Sequence, residues 1–583
     1  MHTPTQFSIT GPARPQAGRV WILGGVIVAL IVAAPLLAIT WIALFPSENI
    51  WPHLASTILP RHSWNTILLM IGNGIGVFLI GTTTAWLVAT GEFPGRRIFE
   101  WALLLPLAVP AYIVAFVYTD IFEFAGPVQG LLRDIFGWQT KRDYWFPEIR
   151  SMGGAIFVMS FVLYPYVYLL ARAAFLEQSV SVLEVSRTLG RGPWKTFVSV
   201  ALPLARPAIV VGIALALMET LADFGTVDYF AVNTLTVSIF DVWFGMGNAG
   251  GAAQIALVML AFVVVLISLE RIGRRGRRYH NTSTRHTAQS RYRLGVARGW
   301  LATVICTLPI LIGFLIPAGV LTRHAIVFFD QSWNAAFFGF ARNSLMLATI
   351  AAFAAVAIAI FLAYGRRMSG RAFGVLSRIS LLGYAVPGAV LAVGVLIPFA
   401  RLDNAIDSLA RDWFGVSTGL LLSGTIFALV FAYVVRFLAV AFGAVEASLG
   451  KIQPNMDMAA RSLGAGPGRT LWRIHLPMIR GSLIAAGTIV FVDSMKELPA
   501  TLILRPFNFD TLATHVYQFA SDELLEQSAL SALTIVLAGI IPVILLSRAL
   551  TDAQRKRRKI GFFEAVPTLS PALPTKARVT DRD

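Results

Sequence analysis

Glu184-Val-Ser-Arg-Thr-Leu-Gly190, followed thirteen residues later by Pro203 in Val200-Ala-Leu-Pro203, has a near copy further along the chain. The copy is Met458-Ala-Ala-Arg-Ser-Leu-Gly464, with Pro477 of Ile474-His-Leu-Pro477 at the same spacing. Arg187 pairs with Arg461, Leu189 with Leu463, and Gly192-Pro193 with Gly466-Pro467, all at an offset of 274 residues. Chance seldom keeps so many positions aligned without a gap. The chain is a duplication, and each half carries one short basic element between apolar runs.

Composition sets the solvent of those halves. Hydrophobic residues make up 56% of the 583 and charged residues 14%, with a mean hydropathy of +0.70. Soluble domains sit nearer 45–50% apolar and about 25% charged. An integral membrane protein is implied. The lone cysteine, Cys306, excludes an intrachain disulfide. The net charge of +17 fits arginines and lysines gathered on the cytoplasmic side of a membrane protein better than nucleic-acid binding.

A spanning helix needs roughly 20 mostly apolar residues. Such runs occur near 20–45, 65–90, 100–122, 154–175, 204–223 and 252–269, then near 300–322, 343–364, 376–400, 418–443, 480–500 and 528–549. The fold class is therefore an all-α membrane protein of about twelve transmembrane helices in two homologous six-helix halves. Residues 271–298 hold nine arginines and no acid, the tail carries Arg555-Lys-Arg-Arg-Lys559, and 501–527 sets Arg505 against Asp510, Asp522, Glu523 and Glu526. By the basic-residue bias, both termini, the linker and both repeated loops face the cytoplasm. The expected organisation is a cytoplasmic N-terminus 1–18, a first half 19–270, a basic linker 271–298, a second half 299–549 and a cytoplasmic tail 550–583. The stretch 1–18 lacks a cleavage pattern, so the first span is expected to stay as an anchor.

Each repeated loop lies between the fourth and fifth spans of its half. Residues 181–189 suit one or two amphipathic turns, Gly190 the left-handed residue that ends them, and Gly192-Pro193 a helical restart. Such a stub, joined rigidly to the next span, can transmit a push from a cytoplasmic partner. An ordinary interfacial helix would explain one copy; two matched copies favour docking.

These residues resemble the coupling-loop signature of permease subunits in bacterial ABC importers, written Glu-Ala-Ala…Gly…Ile-x-Leu-Pro. Glu184, Gly190 and Pro203 match it in the first copy; Ala459, Ala460, Gly464, Ile474, Leu476 and Pro477 match in the second, where Met458 replaces the glutamate and Asp457 stands one residue earlier. The resemblance covers about 60–270 and 340–550, as two fused permease domains of the type I importer fold. It implies a bacterial inner-membrane protein with a periplasmic solute-binding protein outside and two copies of an ABC ATPase inside. ATP and Mg would reside on that partner, with no cofactor on this chain. The ATPases would grip Glu184, Arg187, Leu189, Gly190 and Pro203 in one loop, and Asp457, Ala459, Ala460, Arg461, Leu463, Gly464 and Pro477 in the other. The stretches Met218-Glu-Thr-Leu-Ala-Asp-Phe-Gly-Thr-Val-Asp-Tyr229 and Asp493-Ser-Met-Lys-Glu-Leu-Pro-Ala-Thr501 look like those of ferric iron permeases. Thiamine, phosphonate or polyamine permeases are the alternatives.

The same offset aligns Glu219 with Asp493 and Asp223 with Glu497, and four-residue spacing puts each pair on one helical face. Acids within a span usually face a cavity or a partner. The expectation is a pathway lined by these four carboxylates, with Lys496 pairing one of them and oxygen ligands suited to a hard cation; helix-end capping is the structural alternative. No metal-ligand spacing is found among the eight histidines, and no metal site is assigned. Pro106, Pro110 and Pro387 predict kinks in spans three and nine. No GxxxxGK[ST] phosphate loop occurs, so the chain should not hydrolyse ATP, and the short outer loops leave no room for a catalytic domain. A twelve-span secondary transporter is the rival, with Gly91-Glu-Phe-Pro-Gly-Arg-Arg97 its faint signal, but it has no matched loop in both halves. Gly190→Pro is expected to uncouple ATP hydrolysis from transport with the spans intact; wild-type transport by that variant would refute the coupling role.

Overall fold

The computed structural model describes residues 15–178, 186, 188–189, 192–274, 292–369 and 371–564. Among them, twelve segments are long and apolar enough to cross a membrane: Val20–Leu44, Ile58–Thr90, Ala111–Phe136, Met152–Leu176, Trp194–Ala222 and Ala249–Gly273, then Val296–Val327, Ala335–Ser369, Gly388–Phe414, Ile426–Leu449, Pro467–Met495 and Leu525–Leu545. Numbered in this order, they match the expected runs in number, and most of the other described residues are in short helices or turns. A single parallel bridge, Gly91–Glu92 with Tyr292–Arg293, is the only strand pairing among the described residues.

Two spans depart from expectation. The run 100–122 is not one helix: Arg96–Ala102 gives way to a tight turn at Leu105–Ala108, and a new helix begins at Ala111 after Pro110. The run 376–400 breaks in the same way, with a turn at Leu382–Ala385 and a restart at Gly388 after Pro387. Pro110 and Pro387 take ψ near 142° and 145°, and the valine before each is extended, at ψ 122°. A proline disfavours helix in its predecessor and lacks the amide that would continue the ladder, so both spans break where only kinks were expected.

The helices leading into the fifth and eleventh spans do the opposite. Pro203 and Pro477 lie inside helices that run unbroken from the loop side, Trp194–Ala222 and Pro467–Met495. Each proline follows a wide π turn, at Phe197–Ala201 and Leu471–His475, in which the Leu202 and Leu476 amides reach back to the Phe197 and Leu471 carbonyls. The wide turn absorbs the missing donor and keeps the rod continuous.

The first span of each half lies against the opposite half. Trp21 stacks on Phe361 at 5.0 Å, while Gly24 and Gly25 face the rings of Phe361 and Phe373. Reciprocally, the Tyr118 hydroxyl donates to the Ile312 carbonyl at 2.7 Å and Thr303 Oγ1 to Pro94 O at 3.0 Å. Within the first half, the second and fifth spans close on the fourth at Val167. A Cβ on Gly81 would stand 2.7 Å from Val167 Cβ, and one on Gly212 2.8 Å from Val167 Cα. Small residues at crossings let helices approach where lipid supplies no hydrophobic drive. Buried Asn73 links the same three spans, donating to Thr220 Oγ1 at 2.6 Å and accepting from Ser160 Oγ at 3.2 Å.

Gly81→Ala should therefore lower the thermal midpoint of the purified protein, by an amount equivalent to about 1–3 kcal/mol of overpacking. Gly74→Ala, whose Cβ would meet Leu217 at 3.6 Å, is the matched substitution that should leave the midpoint unchanged.

Candidate functional site

The broken spans and the ends of the fifth and eleventh spans enclose a cavity of about 140 Å³ between the two halves. Pro110 and Pro387 both line it, so the irregular backbone sits where it borders a cavity rather than lipid. Glu219, Asp223, Asp493, Lys496 and Glu497 all reach its wall, joined by Tyr112, Tyr166, Tyr384 and Arg436. The residues singled out from sequence are thus brought together, from both halves.

Their arrangement corrects the one-face reading. The fifth span ends at Ala222, and Asp223 already has ψ 133°, so it is not one turn above Glu219 on a continuing helix. Asp223 caps the short helix Gly225–Tyr229, accepting from the Thr226 amide and hydroxyl, each at 2.9 Å, and from the Val227 amide at 3.3 Å. Glu497 does the same for Pro499–Leu504: it accepts from the Ala500 and Thr501 amides at 3.1 and 3.2 Å and from Thr501 Oγ1 at 3.1 Å. Orphan amides at a helix start attract such a carboxylate. Capping therefore holds for the second member of each pair.

The remaining charges divide unevenly. Lys496 Nζ pairs with Asp493 at 2.9 Å, as expected for that lysine. Arg436, on the tenth span, donates to Glu497 Oε1 at 2.9 Å with both side chains almost wholly buried. Glu219 lines the cavity with no hydrogen bond or ion pair to any described residue. Among the described residues no three His, Cys, Asp or Glu side chains are grouped to hold a metal ion. Arg436 was missed from sequence, although a lone arginine in the apolar segment Ile426–Leu449 is itself a signal of a buried partner.

The second repeated loop forms the helix Pro454–Ser462, which Gly464 ends at φ 75°, with the Ala465 amide bonded to the Ala460 carbonyl at 2.9 Å. Leu463 is 86% exposed and its match Leu189 is 73% exposed, two apolar residues left uncovered at equivalent places. Ala459, Arg461, Gly464, Pro203 and Pro477 are also exposed, while Ala460 packs inward. Asp457 is committed within the chain. Arg367 donates to it at 2.8 Å while holding the Leu449 and Ile452 carbonyls, and His475 Nε2 lies 2.7 Å from its other oxygen. That carboxylate anchors the loop to the eighth span rather than facing outward. Tyr364 adds a bond to the Pro467 carbonyl at 2.8 Å. Glu184, Arg187 and Gly190 of the first loop lie outside the described residues.

The family described as "Binding-protein-dependent transport system inner membrane component" matches the chain twice, over residues 78–278 and 355–560. An Fe(3+)-transport system permease protein of Haemophilus influenzae is 27% identical over 492 residues, 83% of this chain and 89% of that protein. A probable ABC transporter permease protein of Sinorhizobium fredii is 23% identical over 581 residues, 92% of this chain and 96% of the relative. A molybdenum transport system permease protein of Escherichia coli K12 is 27% identical over 236 residues, 37% of this chain and its own full length.

Glu219→Gln should reduce transport by tenfold or more with an unchanged thermal midpoint, because that carboxylate makes no hydrogen bond or ion pair that holds the fold. Arg436→Met should instead lower the midpoint, by the equivalent of about 3–5 kcal/mol, because it strands the buried Glu497.

Proposed function

The chain belongs to the family of binding-protein-dependent transport system inner membrane components, and from that membership we propose that it imports ferric iron, driven by two separate ATPase subunits. The observation that carries the cargo is the state of the cavity charges. Lys496 and Arg436 are each ion-paired with a carboxylate of their own half, whereas Glu219 makes no hydrogen bond or ion pair and feels those two cations only at longer range. An oxyanion would have to displace one of those carboxylates, while a cation meets one that is in no ion pair, and a hard trivalent cation prefers oxygen ligands. The relative named for Fe(3+) transport supports the same reading over most of both chains.

In this reading the two halves, 19–270 and 299–549, face each other across the cavity. The loops around Glu184–Pro203 and Asp457–Pro477 meet one ATPase each in the cytoplasm, where ATP and Mg are bound. Exposed Leu189 and Leu463 fill a groove on each ATPase, and Met458 adds apolar surface where the first loop has Glu184. The π turns keep each stub and its span one rod, so a displacement at the loop arrives at Glu219 or Asp493. A solute-binding protein delivers cargo at the opposite, periplasmic end, and the basic linker 271–298 and both termini stay cytoplasmic. ATP shifts a balance between two conformations.

Uptake of labelled ferric iron, molybdate and 2-aminoethylphosphonate should be compared in cells with and without the gene. Loss of iron uptake alone, restored by the wild-type gene, is the expected outcome. Loss of either oxyanion instead would overturn the cargo and keep the importer.

A further inference from the structure

At the end of the bundle away from the repeated loops, two contacts cross from one half to the other, one of them joined to the cavity wall through Phe224. The Tyr517 hydroxyl, from the second half, donates to Asp228 Oδ2 of the first at 2.5 Å. Arg150 of the first half reaches Glu523 of the second at 3.3 Å, while also pairing with Glu123 at 2.5 Å and lying over the Tyr229 ring at 4.8 Å. Between these contacts and the cavity stand aromatic rings. Phe224 lines the cavity, stacks on Phe240 at 3.8 Å and touches Tyr517 at 5.7 Å; Tyr229 packs edge-on against Phe116 at 4.5 Å.

The backbone at Glu523 adds an independent signal. It holds φ 60°, a left-handed conformation that non-glycine residues seldom adopt. The first half meets the corresponding turn before its last span with a glycine, Gly247, at φ 63°. A glutamate in a place suited to glycine costs backbone energy, and strain of this kind collects where a side chain is needed. Here the side chain is the one that reaches Arg150.

We propose that Tyr517–Asp228 and Arg150–Glu523 form a clasp that holds the two halves together at this end of the bundle and must open before cargo can enter from that side. The half-buried hydroxyl–carboxylate bond is the stronger member, because the Arg150–Glu523 pair is more exposed and screened. Opening the halves here separates both contacts at once, since each has one partner on either side. Phe224 would follow Tyr517, uncovering the cavity wall next to Glu219. The clasp rests on the transporter reading, but access of a reagent to the cavity requires neither an ATPase nor the right cargo.

The test is chemical labelling of a reporter cysteine at Met218, a cavity-lining position, in a Cys306→Ala background, with a membrane-impermeant maleimide applied separately to right-side-out and inverted vesicles. Tyr517→Phe combined with Glu523→Gly should speed labelling roughly tenfold from the face opposite the loops, the population shift expected for losing one charge-assisted bond. Lys141→Ala removes an exposed pair with Glu148 at the same end but within one half, and should label at the parent rate. Parent-rate labelling in the double variant, or an equal rise in Lys141→Ala, overturns the clasp. Glu523→Gly alone should hold or raise the thermal midpoint, since glycine takes that φ without strain; a fall would assign Glu523 to the fold instead of the gate. Iron uptake lost or kept leaves the labelling result standing, so the two readings fail separately.

Discussion

Three spans of the second half meet at the carboxylate of Glu497, and the cavity wall is built around that meeting. Glu497 follows the eleventh span, takes an arginine from the tenth and caps the short helix Pro499–Leu504. The ninth span restarts against it: a Cβ on Gly388 would lie 2.2 Å from Arg436 Nη1 and 2.5 Å from Glu497 Oε1. Only a glycine lets the backbone after Pro387 come so close. A buried ion pair is stable when its remaining lone pairs are satisfied, and here two amides and a hydroxyl do so. With the carboxylate fixed, the end of one span, the start of another and the break between them are fixed together.

The first half builds the same wall without the arginine. Asp223 caps Gly225–Tyr229 as Glu497 caps its own helix, yet Val162 stands where the offset would put a counterpart of Arg436. Lys496 likewise has Ala222 as its match. The duplication is symmetric in backbone and unequal in charge, so both cationic groups of the cavity come from one half. Their partners are close by, and the carboxylate left over, Glu219, belongs to the other half. That asymmetry leaves Glu219 the one cavity carboxylate with neither a cap nor an ion pair.

The rods that carry Glu219 and Asp493 are continuous down to the loops, and the proline breaks fall on the spans that face them. The division follows from where each proline sits. Pro203 and Pro477 lie just after a wide turn that dispenses with their missing amides, whereas Pro110 and Pro387 follow residues already extended. The same residue type sits in a continuous rod in one place and a cavity wall in the other. Asp457 shows a similar divergence. Placed within the repeated loop in sequence, it turns inward to Arg367 and His475 and holds that loop to the eighth span.

Read alone, the chain determined the number of spans, the duplication, the matched loops and the five charged residues later found around one cavity. These depend on composition, period and offset, which are local or additive properties. Tertiary structure alone decided which carboxylates are capped, which are paired and which is free, because that depends on side chains from spans far apart in sequence meeting within 3 Å or so. It also decided that Arg436 lines the cavity, that Asp457 meets Arg367 and His475, and that the first span of each half lies on the other half. A charge in an apolar run announces that it needs a partner. Which partner it finds is settled only when the helices pack.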